Sequence, residues 1–262
     1  MPSPTLPISE VGVKLRQAGK LENRPLCVYG SKTIPDGIVP STSLSRCVAQ
    51  AIATVAFSDK AQGIYVAAEM PETCCPGGLA HLGFIRFNPS IKFFVSSGSK
   101  DYRNGEAEFL RASPELFEES RRMMGKITPL DRYTLIRPCG DLTNEDPGVK
   151  SIICFGTAEQ IRNMISLVHF RSVEPFHNTL VPQGAACASF VSYAAGMVEN
   201  SPRDAAFVGP SDPTGNNWFP QDYLSLAIPI KIARRMADDL ECSFIVRRPT
   251  VAYPEQRLKL RT

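Results

Sequence analysis

Short uninterrupted apolar runs, each closed by glycine or proline, alternate along this chain with longer stretches in which apolar residues recur every three or four positions. The first kind predicts buried strands and the second amphipathic helices. Strands are expected at residues 25–30, 63–68, 133–138, 151–156 and 205–209, with a final one at 242–248. Helices are expected at 47–57, after the hydroxyl-rich stretch 41–45, at 157–170, at 185–199 and around 230–240. In the second of these Thr157 is the N-cap, and Ile161, Met164, Ile165 and Val168 fall at helical spacing. Residues 106–126 read as one or two helices interrupted at Pro114, and the polar run 140–150 is the most linker-like stretch.

The order of these elements repeats. Leu26-Cys-Val-Tyr-Gly30 resembles Ile153-Cys-Phe-Gly156, and the helix bearing Cys47 has a counterpart bearing Cys187. The step from Cys47 to the Cys74-Cys75 loop, taken again from Cys187, lands on Thr214-Gly215. Ser120-Arg-Arg-Met-Met124 and Ala233-Arg-Arg-Met-Ala237 each precede an apolar run ending in Arg and Pro. The expectation is an α/β or α+β protein of two similar fused halves, 1–145 and 146–262, duplicated around a mixed β-sheet core, with a ligand site near their interface.

Composition narrows the function classes without choosing one. In 262 residues, 43% are hydrophobic and 21% charged, as in an ordinary globular protein, and the formal charge of +3 is far below that of a dedicated nucleic-acid binder. The longest nearly apolar stretch, 185–198, is too short to cross a bilayer of roughly 30 Å, and the first ten residues do not read as a secretory signal. A cytoplasmic protein with reduced thiols is expected, with no nucleic-acid or membrane partner and with a homo-oligomer left open.

Cys47 and Cys187 fall at the first turn of predicted helices, where free N–H groups favour a thiolate. With Cys74 and Cys75 they make a set of four soft ligands suited to zinc or an iron–sulfur cluster; the plainer alternatives are a reactive thiol or small buried hydrophobes. The loops carrying Gly77 and Gly78, and Gly215 and Asn216, offer backbone N–H groups to an anion, or are plain turns. His81 follows the double-cysteine loop as an acid–base or a packing residue, and Arg122 and Arg235, one from each Arg-Arg pair, either grip an anion or form structural ion pairs, with Asp238 and Asp239 near the second pair. Trp218, Phe219 and Tyr223 wall a pocket or pack in the core. Two readings follow: a cysteine-ligated metal or iron–sulfur protein, or a metal-free binding module or enzyme for a small anionic metabolite.

Ser45-Arg-Cys47, Cys75-Pro-Gly-Gly78 followed by Leu82-Gly83, Pro129-Leu130, and Ala186-Cys187 followed by Tyr223-Leu-Ser-Leu-Ala-Ile-Pro229 together resemble the DUF169 family. The likeness runs from about residue 24 to residue 246. The family is uncharacterised, so the resemblance implies a soluble, mainly prokaryotic, stand-alone protein and brings no reaction. In that resemblance the second-half loop often carries a cysteine. Here it reads Ser211-Asp-Pro-Thr-Gly-Asn-Asn217, so a four-cysteine site shared equally by the halves is not implied.

Overall fold

The computed structural model describes residues 6–142, 146–212 and 218–254. The first part of the chain forms α1 (Ile8–Gly19), β1 (Leu26–Ser31), β2 (Val39–Pro40), α2 (Val48–Phe57), β3 (Ile64–Ala67), α3 (Pro76–His81), α4 (Ile91–Val95), α5 (Pro114–Met124) and β4 (Tyr133–Pro138). The rest forms β5 (Ser151–Thr157), α6 (Ala158–Val168), β6 (Thr179–Leu180), a π-helical turn (Ala188–Ser192), β7 (Ala206–Gly209), β8 (Tyr223–Pro229), α7 (Ile230–Asp239), α8 (Phe244–Arg247) and α9 (Pro249–Ala252).

All eight strands join one sheet in the order β2-β3-β4-β1-β5-β8-β7-β6. Its centre is the antiparallel pair β1–β5, with Leu26 opposite Ile153. Outward from this seam both sides show the same pairings: two antiparallel neighbours, β4 then β3 or β8 then β7. Each side ends in a two-residue strand, β2 or β6, parallel to its neighbour. Such short outer strands offer little edge for another chain to pair with. The protein is thus a mixed α/β fold on a single mixed sheet, with nine α-helices among the described residues.

Side chains alternate between the faces with period two. Cys27, Tyr29, Leu135, Ile152, Cys154, Leu226 and Ile228 point to one face, which α1, α6 and α7 cover. Leu26, Val28, Ile64, Ile136, Ile153 and Phe155 point to the other, which α2, α3 and the π-turn segment cover. Phe155 ties this second core together: its ring lies edge-on to Phe190 at 5.1 Å and against Phe57 of α2 at 5.7 Å. Burying such a side chain is worth roughly 1.5–3 kcal/mol, and here the contacts come from both sides of the seam.

The strands expected at 25–30, 63–68, 133–138, 151–156 and 205–209 match β1, β3, β4, β5 and β7 within two residues at each end. Thr157 caps α6 as expected, and Gln160 completes a capping box. The last expected strand, 242–248, is instead the short helix α8. Both outer positions of the sheet are held by β2 and β6, so this apolar run packs as a helical turn with Ile245 buried. The long helix expected at 185–199 shrinks to the π-helical turn, bounded by Gly184 at φ 154° and Gly196 at φ 71°. The Arg-Arg-Met echo also dissolves: the first copy ends α5 before β4, whereas the second lies in α7 and leads only to α8 and α9. Among the described residues, no helix is long and apolar enough to cross a membrane.

Candidate functional site

The N-terminus of α2 is where the four singled-out cysteines meet. Cys47 is its N-cap, with β-region backbone, and the Ser45 hydroxyl accepts from the Cys47 N–H at 3.1 Å. The backbone N–H groups of Gln50 and Ala49 face the Cys47 thiol, and that of Ala49 also faces Cys187, which arrives from the second part of the chain just before the π-helical turn. Cys74 and Cys75 belong to the loop after β3. The Cys75 N–H donates to the Arg46 carbonyl at 2.9 Å and Arg46 Nε donates to the Thr73 carbonyl at 3.1 Å, so this loop is pinned to the residue preceding the cap.

Every one of the four thiols lies within electrostatic reach of the other three. Cys74 and Cys187 are buried, while Cys47 and Cys75 are half-buried and form the open side. Burial pushes the Cys47 and Cys74 thiols up from their usual value and the Cys187 thiol well above it; neighbouring sulfurs add to the rise, while the helix N–H groups oppose it at Cys47 and Cys187 and the Ser41 hydroxyl opposes it at Cys74. The expected pull toward thiolate is therefore present at Cys47 and Cys187 but outweighed by desolvation. Among the described residues, no group of three or more His, Cys, Asp or Glu stands in an arrangement that could hold a metal ion as it is.

Gly78 allows this convergence. A Cβ there would come within 2.6 Å of Val48 Cγ2 and 3.6 Å of Cys187 Sγ, so only glycine lets α3 close against α2. Gly77 is looser, its Cβ position meeting only Cys75 Sγ at 3.6 Å. The other four cysteines do not join the site: Cys242 is exposed, and Cys27, Cys139 and Cys154 lie in the core on the opposite face of the sheet.

His81, at the far end of α3, packs edge-on against Phe87 at 4.8 Å, and burial followed by the Arg121 charge pulls its pKa down to about 4. Arg122 is exposed and paired with Glu119, and Arg235 donates to the Val168 carbonyl on the opposite face of the sheet, so the two do not form a clamp. Asp239 pairs with Arg171, not with the neighbouring Arg-Arg pair, while Arg234 takes Asp146 at 2.5 Å. Gly215 and Asn216 lie outside the described residues. Phe219 is buried against Phe155 and Phe190, which settles it as core.

The inward arginine of the first pair is Arg121, packed on Phe87, and not Arg122. Its signal was periodicity: Phe117, Arg121 and Met124 share one stripe of α5 at i, i+4 and i+7, and all three are half-buried, whereas Arg122 sits on the exposed face with Glu118 and Glu119. No curated protein and no solved structure is significantly similar to the chain. The model of the DUF169 family, described as Uncharacterised ArCR, matches residues 14–239, and the chain belongs to that family.

Proposed function

We propose that Cys47, Cys74, Cys75 and Cys187 bind a soft metal, a zinc ion or an iron–sulfur cluster, at the N-terminus of α2. The observation that carries this reading is that four thiols from three separate segments lie within electrostatic reach of one another, two of them, Cys47 and Cys187, against N–H groups at the start of α2. Thiolates are the ligands such metals select, and a helix start lowers the cost of gathering their negative charge. Since no metal-holding group stands ready among the described residues, ligation requires the thiols to draw closer together. Because burial keeps three of the thiols protonated, the metal must displace protons, and affinity rises with pH.

Anaerobic purification followed by metal analysis and an ultraviolet–visible spectrum tests the reading, with Cys47→Ser and Cys187→Ser in parallel. Stoichiometric zinc or iron, lost in both variants, is expected, with apparent affinity strengthening from about pH 6 to about pH 8. Folded, colourless, metal-free protein overturns it.

We also infer that residues 1–145 and 146–262 are two copies of one unit. The matching order of strand pairings on either side of the β1–β5 seam supports this. So does the placement of the Cys47 and Cys187 segments on the same face of the sheet, ahead of β3 and β7 respectively. On this reading the thiol site draws on both copies: Cys187 comes from the second and the other three from the first.

A further inference from the structure

At the end of α3 remote from the thiols, three side-chain nitrogens lie out of solvent with no hydrogen-bond partner: Arg121 Nη1, Arg111 Nε and His81 Nδ1. The Arg121 guanidinium lies 3.6 Å from the centre of the Phe87 ring, whose other contact is the His81 imidazole. Arg111 is held from the segment before α5 by two neutral groups, the Ser120 hydroxyl at 3.0 Å and Gln183 Oε1 at 2.6 Å. Tyr193 lies within electrostatic reach of both guanidiniums, and its hydroxyl reaches the Gln183 carbonyl only at 3.5 Å. Among the described residues neither guanidinium has a carboxylate at ion-pair distance; the nearby Glu118 and Glu119 are engaged by Lys92 and Arg122.

Two guanidiniums gathered at one phenol, with buried nitrogens facing no acceptor, are stabilised when an anion arrives and strained without one. A planar fork matches the paired oxygens of a carboxylate or a phosphate, and it offers several donors at once. Burial and Arg121 keep the His81 ring neutral, so it adds a polar contact without a third positive charge. Beside Arg121 opens a cleft of about 310 Å³ lined by Phe87, Lys92, Phe117, Arg122 and the Lys92-paired Glu118, which gives room for the rest of a small molecule.

We propose that Arg111, Arg121, His81 and Tyr193 form a binding site for the oxyanion of a small metabolite, a phosphate or a carboxylate. The site uses none of the four cysteines, so it stands or falls separately from the metal reading. Titration calorimetry of the full chain with inorganic phosphate and, separately, with succinate tests it. Saturable binding of at least one probe is expected, weakened about tenfold or more in Arg121→Met and Arg111→Met and unchanged in Arg162→Gln, whose guanidinium is exposed on α6. The stronger of the two probes names the anion. Absence of saturable binding with either probe, or affinities that both inward variants leave within about twofold, overturns the proposal. Should either methionine variant fail to fold, Arg121→Lys and Tyr193→Phe make the same comparison, and unchanged affinity in both is then the overturning result.

Discussion

Cys187 shows how a single side chain takes its character from surroundings contributed by a distant part of the chain. Its thiol lies against the Ala49 N–H at the start of α2 and beside the Gly78 backbone, while burial holds it well above the usual thiol range. A cysteine at a helix start reads from sequence as a nucleophile, and the helix N–H groups do pull that way, but desolvation wins. His81 obeys the same rule with the opposite sign, since burial penalises its charged form and Arg121 adds to the penalty. Its folded pKa of about 4 lies below the unfolded value of about 6.5, so as pH falls the unfolded chain binds the proton first. Stability is therefore fully present above about pH 6.5, declines as pH falls toward about 4, and declines no further from this group below that. Urea unfolding at steps between these limits should show the decline, and His81→Asn should flatten it; an unaltered slope in the variant means the imidazole is not held neutral.

Packing between elements decides whether the thiols meet at all, and α3 is the element that brings two of them to α2. Gly78→Ala puts a methyl 2.6 Å from Val48 Cγ2, which α3 can relieve only by shifting away from α2. A loss of about 1–3 kcal/mol in urea unfolding is expected, as for other overpacked contacts, together with weaker retention of the proposed metal. Gly77→Ala, one residue earlier, meets only Cys75 Sγ at 3.6 Å and should leave stability within about 0.5 kcal/mol. Equal losses in the two variants would remove the argument for close α2–α3 packing. Elements with local signals were legible in the sequence: five apolar strands, and α6 with its Thr157 cap. Those whose identity depends on what surrounds them were not. α1 carries Ile8, Val11, Leu15 and Ala18 on one buried face, yet it starts directly after Pro7 with no side-chain cap to mark it. β8 alternates too little to separate from its flanks, because five of its seven residues are buried and it lies between β5 and β7. The apolar run that became α8 has good strand composition and no place left in the sheet.

At the scale of the molecule, the β1–β5 seam sets what can fold alone. Leu26 and Val28 on one side, and Ile153 and Phe155 on the other, belong to one buried cluster with Phe190, so dividing the chain at 145/146 exposes both strands along their paired edges and opens that core. The opposite face is equally shared: α1, from the first part of the chain, packs on α6 and α7 from the second. A boundary read from a polar stretch marks where the chain crosses over, not where the packing stops. Two sides of one sheet that meet in this way act thermodynamically as a single body, since neither buries its central strand without the other. Calorimetry of the full chain should then give one unfolding transition with calorimetric and van't Hoff enthalpies in agreement, and residues 1–145 expressed alone should lack a cooperative transition. Two resolved transitions, or a cooperatively folding first half, would mean that each side carries a core of its own and that the seam is a docking surface between finished domains.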